Sequence, residues 1–114
     1  MVTIQDLQKI GVNTAEGLTR CLNNEGFYLN LVQKFVQEDK VEKLKEAVEA
    51  NDLDKAFGLA HNLKGSTGNL SLTPLYKPVS EMSDLLKVRT QMDYSAYVEE
   101  ITKQFQALKT LCQD

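Results

Sequence analysis

Apolar residues recur along this chain at spacings of three and four, and the alternation of two that marks a half-buried strand is absent. A first short run puts Ile4, Leu7 and Ile10 on one face. Thr3 with Asp6 caps its start, and Gly11-Val12-Asn13 ends it. Thr14 suits the cap of a second short helix with Ala15, Leu18 and Leu22 inward. The longest run opens at Asn23-Asn24-Glu25 and turns Tyr28, Leu31 or Val32, Phe35, Val41, Leu44 and Val48 inward. Its register slips near Glu38-Asp39-Lys40, which predicts a kink or a short break there. The charges from Glu38 to Glu49 fall on the opposite face with mixed signs, as on a solvated surface.

Asn51 suits a helix C-terminus and Asp52 the cap of the next helix, predicted from Asp52 to about Leu70. Its inward stripe is Leu53, Ala56, Ala60, Leu63, Thr67 and Leu70. Another helix begins near Thr73-Pro74, with Leu75, Val79, Met82 and Leu85 or Leu86 inward. Pro78 clashes with a carbonyl one turn earlier in a regular helix, so the regular part is expected to start there. Arg89 to Met92 form a connection. Asp93 is expected to cap a last helix with Tyr94, Tyr97, Ile101, Phe105, Leu108 and Leu111 or Cys112 inward. The predicted fold class is all-α. Four long amphipathic patterns with short polar connections pack naturally as an antiparallel up-down four-helix bundle, its end or side covered by the short N-terminal helices.

The 114 residues contain no linker or internal repeat, and residues 1–114 are expected to form one domain. Thirteen basic and sixteen acidic residues give a net charge of −3, which argues against nucleic-acid binding. No apolar run nears the roughly 20 residues that span a bilayer, so no membrane insertion is expected. Met1 to Asp6 carry no positive segment leading into an apolar one, so no signal peptide is expected. Cys21 and Cys112 stand far apart and are expected to be reduced thiols in a cytoplasmic protein.

One histidine remains, His61, in the segment Ala60-His61-Asn62-Leu63-Lys64-Gly65-Ser66-Thr67-Gly68-Asn69-Leu70. A lone helical histidine is ordinarily a surface residue or a satisfied one. Here its setting differs. Ala60 and Leu63 point inward, so His61 lies beside the core stripe at the solvent edge. Gly58, Lys64, Gly65 and Gly68 fall on its own face. Each glycine costs about 0.5–1 kcal/mol against Ala in a helix interior. What the three supply is access to the imidazole for another macromolecule. Neutral imidazole is a competent nucleophile at Nε2. A phosphoryl group on it carries about two negative charges, which Lys64 one turn on can hydrogen-bond. Phe57, at i−4, is either a core residue at the stripe's edge or an exposed aromatic for docking, and the sequence leaves both open. Asn62 and Asn69 are candidate rim donors.

The segment resembles the signature of histidine-containing phosphotransfer (HPt) domains, A-H-x-L-K-G-x-[SA]-x-x-[LIV]-G. The likeness extends over nearly the whole chain and is weakest after Arg89. It implies that His61 accepts a phosphoryl group from a receiver-domain aspartate and passes it to another in a multistep two-component phosphorelay. It implies that Lys64 stabilises the phosphoryl group and that Gly65 leaves room for the partner. Phe57, Gly58, Asn62, Gly68 and Asn69 are expected to meet that partner. Response-regulator receiver domains and a hybrid histidine kinase are the implied partners of a monomeric carrier. Thr67 stands where Ser or Ala is usual. Ser71 stands where glycine usually ends the helix, which leaves Gly68 or Asn69 as candidates for the left-handed residue. No glycine-rich phosphate loop follows a strand, so no kinase activity of its own is expected, and the chain is read as a carrier, not an enzyme. One histidine without a carboxylate cluster gives no metal spacing and no cofactor. Mg²⁺ is expected only in the partner receiver domain. The alternative is a non-catalytic helical adaptor that binds receiver or kinase domains without carrying phosphate.

Overall fold

The computed structural model describes residues 2–113, which form seven helices and no strand. They are α1 (Ile4–Lys9), α2 (Thr14–Arg20), α3 (Glu25–Val36), α4 (Lys40–Glu49), α5 (Leu53–Asn69), α6 (Thr73–Lys87) and α7 (Ser95–Cys112). Helices α4 to α7 close a four-membered ring, with α5 against α4 and α6, and α7 against α6 and α4. The α5–α6 pair is antiparallel: Asp54 meets Arg89, Lys64 meets Asp84 and Gly68 faces Tyr76. The ring is filled by the predicted stripes, Ala56, Ala60, Leu63 and Thr67 from α5 facing Leu75, Val79, Met82 and Leu86 from α6 and Ile101, Phe105 and Leu108 from α7.

The expected break falls at residues 37–39 and separates α3 from α4. Val32, Phe35 and Val36 are buried on one side of it, and Val41, Leu44 and Ala47 on the other. Five residues from Val36 to Val41 overshoot a straight stripe, so the chain stops and re-enters. As a result α3 leans on α7, outside the ring. Helix α5 starts as predicted, with the Asp52 carboxylate accepting the Lys55 N–H.

Several expectations are corrected. Helix α2 is capped by Asn13, not Thr14, and its inward face carries Thr14, Gly17 and Cys21. Ala15 is exposed, Leu18 is half-buried, and Leu22 is 90% exposed with a left-handed backbone. The cause is Tyr28. A side chain at Gly17 would start 2.6 Å from the Tyr28 ring, so the glycine face turns inward to admit it. Helix α6 runs from Thr73 straight through Pro78. Its first turn is held by the Leu75 and Tyr76 N–H groups, both donating to the Leu72 carbonyl, and by the burial of Leu72 and Leu75. The cap of α7 is Tyr94. Asp93 lies one residue earlier, where its carboxylate accepts from the N–H and hydroxyl of Ser95, at 2.9 and 2.6 Å, and is held below its usual pKa by those bonds. Finally, Ser71 is itself the left-handed residue after α5, with φ 54°. The Leu72 N–H returns to the Thr67 carbonyl and the Ser71 N–H to that of Gly68, which is the double bond of a Schellman ending.

The buried Tyr28 hydroxyl donates to the Leu70 carbonyl at 2.8 Å and ties the N-terminal helices to the end of α5. Burial, with Cys21 beside it, pushes this phenol up to about 12. Its folded pKa lies above the unfolded one, so its share of stability is complete below pH 10 and is lost as pH rises from 10 toward 12. Tyr28→Phe should cost about 1–3 kcal/mol at neutral pH, because the Leu70 carbonyl is left buried without its donor. The cost should shrink across that alkaline window, as read from chemical denaturation at a series of pH values. An equal cost at every pH would show that the phenol does not titrate with unfolding.

Candidate functional site

Helix α5 presents its outer face between α2, α4 and α6, and His61 stands on it, exposed, between the buried Ala60 and Leu63. No atom lies within 4 Å of the Cβ position of Gly58 or of Gly65, so both glycines leave open space beside the ring. Gly68 differs. A side chain there would begin 3.1 Å from the Tyr76 ring, so this glycine lets α6 approach closely. His61, Lys64, Gly65, Gly68 and Asn69 of α5 line one wall of an open groove of about 670 Å³. Glu16 and Arg20 of α2, with Tyr76 of α6, line the other. The sequence did not indicate which elements complete this face, and the structure supplies α2 and α6.

The charges around His61 are held in pairs. Lys64 Nζ lies 3.3 Å from Asp84 Oδ1 across the α5–α6 seam. Arg20 donates twice to Glu16, at 3.1 and 3.2 Å, and Glu16 also accepts from the Ser71 hydroxyl at 3.1 Å. Asn62 turns away from the groove residues, and its Oδ1 accepts from Lys40 Nζ at 2.6 Å. Lys40 also pairs with Glu38 at 2.7 Å, so Asn62 anchors the start of α4. Each pair is solvated, and each is individually worth at most about 1 kcal/mol. The pairs hold three cations, one each from α2, α4 and α5, on a chain that is acidic overall.

Phe57 takes the core-edge place of its two readings. It is half-buried against the core, and its ring also meets the His61 imidazole, with centroids 5.6 Å apart and planes tilted by 36°. Arg20, Tyr76, Asp84 and Arg89 were not singled out from sequence. All four are remote in the chain from His61, and their place beside α5 emerges only on folding. Among the described residues, no three His, Cys, Asp or Glu side chains gather at a spacing that holds a metal. Among the same residues, no helix is long and apolar enough to cross a membrane.

The fold and site together define a helical bundle that displays a single accessible histidine on the outer face of one ring helix. A family model of the Hpt domain matches residues 30–111, and the chain belongs to the Hpt domain family. The match covers most of α3 and all of α4 to α6, together with α7 up to Leu111. Helices α1 and α2 lie outside it. No curated protein and no solved structure matches the chain. Membership implies histidine phosphotransfer in a phosphorelay in general, and domains of this family act as phosphocarriers.

Proposed function

We propose that His61 is the phosphoryl acceptor and that the chain shuttles phosphate between receiver-domain aspartates in a multistep two-component phosphorelay. The observation that carries this is the exposure of the chain's single histidine on α5, within the family match and beside the open space over Gly65. The Nε2 lone pair of neutral His61 attacks phosphorus in line with the acyl-phosphate oxygen. The N–P bond forms, the P–O bond to the donor aspartate breaks, and a carboxylate leaves. Nδ1 keeps its proton. Onward transfer reverses the step, with a second aspartate as nucleophile. Mg²⁺ belongs to the receiver's acidic pocket, and the chain's own share is a positioned nucleophile and local positive charge. A hybrid histidine kinase is the upstream source, and a cytoplasmic monomer is the form that would carry the phosphate. Incubation with candidate phosphorylated receivers, read as acid-labile phosphate on the chain, tests the assignment. No transfer from any receiver would sink it.

In this reading Lys64, one turn on from His61, leaves Asp84 and hydrogen-bonds the phosphoryl group. Charge-assisted bonds contribute about 1.5–3 kcal/mol, but this lysine is solvated and already paired, so the contribution falls to about 0.7–1.4 kcal/mol. Lys64→Ala should therefore slow acceptance, or shorten the phosphohistidine lifetime, by about three- to tenfold without abolishing either. An unchanged rate together with an unchanged half-life would show that Lys64 is only a surface charge.

A further inference from the structure

A nucleophile on a mobile side chain must be aimed as well as exposed. Among the described residues His61 makes no side-chain hydrogen bond, and the polar side chains flanking it bond elsewhere, Asn62 to Lys40 and Lys64 to Asp84. What meets the imidazole is the Phe57 ring one turn earlier. Helical side chains lean toward the N-terminus, so His61 leans onto Phe57. Arg89 lies over that same phenyl ring, its Cζ 5.0 Å from the centroid. The guanidinium is fixed in turn. Its Nε donates to Asp54 Oδ1 at 2.7 Å, and its Nη1 donates to the carbonyls of Leu86 at 2.8 Å and Lys87 at 3.2 Å.

Arg89 also occupies the left-handed position after α6, at φ 53°, where glycine is the favoured residue. Leu22 holds a similar backbone at φ 57°, but its side chain is almost wholly in solvent. Arg89 differs because one carboxylate, two carbonyls and an aromatic face converge on its side chain. The two carbonyls are the last of α6 and belong to ordinary helix capping, but the Asp54 carboxylate and the Phe57 face come from α5, and helix termination does not account for those.

We propose that Arg89 and Phe57 are positioning residues for His61: Asp54 fixes Arg89, Arg89 fixes the phenyl ring, and the ring sets the imidazole plane and so aims Nε2. The role rests on His61 being the phosphoryl acceptor. Neither residue touches the phosphoryl group. A free imidazole on a helix samples about two χ1 wells and two χ2 orientations, so losing the platform dilutes the competent one about three- to fivefold.

The test uses the full chain with phosphoramidate, a donor too small to depend on docking. The P–N bond of the donor breaks, ammonia leaves, and an N–P bond forms at His61. Arg89→Gly suits the left-handed backbone, so thermal melting should show the fold retained. Arg89→Gly and Phe57→Leu should each slow phosphohistidine formation about three- to fivefold, whereas Phe57→Tyr should stay within about twofold of the parent. The Phe57→Leu/Arg89→Gly double variant should be no slower than Phe57→Leu alone, because Arg89 acts through the ring. Ring-to-ring proton NOEs between Phe57 and His61 should weaken in Arg89→Gly. An unchanged rate with undiminished NOEs would overturn the proposal. So would multiplicative slowing in the double variant, which would mean that Arg89 acts directly on the incoming phosphate. A parent chain that gains no phosphohistidine at all would instead bring down the relay assignment on which the proposal rests.

Discussion

His61→Gln should abolish phosphoryl acceptance from a phosphorylated receiver while the helical bundle stays intact. The substitution removes the only imidazole in the chain, and an amide nitrogen, its lone pair delocalised into the carbonyl, does not attack phosphorus. The side chain is exposed and lies off the core stripe, so no cavity opens. The variant loses an aromatic contact with Phe57 worth about 0.5–1.5 kcal/mol and gains a few tenths from the better helix propensity of glutamine. Net destabilisation should stay under about 1 kcal/mol, close to the scatter of surface substitutions. Parallel measurements decide the matter: acid-labile phosphate after incubation with the donor, and a thermal melt of the same preparation. Acid-labile phosphate persisting on His61→Gln would place the acceptor elsewhere. Loss of phosphate together with loss of the cooperative melt would mean that the ring is structural.

The elements legible in the sequence are those whose local chemistry and tertiary packing agree. Helix α5 is the clearest case. Asp52 caps it, its stripe of Ala56, Ala60, Leu63 and Thr67 is buried as spaced, and the offset of His61 from that stripe puts the ring in solvent. The errors arise where packing outweighed propensity. Gly68 and Asn69 suit a left-handed residue better than Ser71, yet α5 ends where burial of Leu70 and Leu72 requires it. Ser71 accepts the strained backbone, and its hydroxyl and carbonyl are taken up by Glu16 and by the Asn13 N–H. In α2, Leu22 was read as core because it is apolar, whereas Gly17, with no side chain to mark it, is the true inward position under Tyr28. A stripe read from hydrophobicity cannot register a glycine that is buried for its smallness. The groove walls were illegible for another reason. Asp84 and Arg89 look like ordinary surface charges, and their meaning lies in pairings across helices. Arg20 pairs within α2 with Glu16, and what the sequence hides is that Glu16 reaches Ser71 at the end of α5.

Gly65→Leu separates access to His61 from stability, and the two are expected to move in opposite directions. Leucine exceeds glycine in helix propensity by roughly 0.8–1.0 kcal/mol on intrinsic scales. Nothing lies within 4 Å of the Cβ position, so the gain is not offset by a clash with the bundle. The variant should therefore be as stable as the parent or more so. Its side chain leans toward the helix N-terminus, and one turn in that direction stands the His61 imidazole. A receiver must bring its aspartyl phosphate to Nε2 within about 3–3.5 Å and keep its own surface on the helix, and a leucine in that gap holds the two bodies apart. Acceptance from a phosphorylated receiver should fall at least tenfold, whereas phosphoramidate, which needs far less room, should still phosphorylate His61 at close to the parent rate. The comparison of donors is decisive. Equal loss with both would mean that leucine has displaced the ring from its seat on Phe57. No loss with either would mean that the receiver approaches from another side, and that the open space at Gly65 serves no partner.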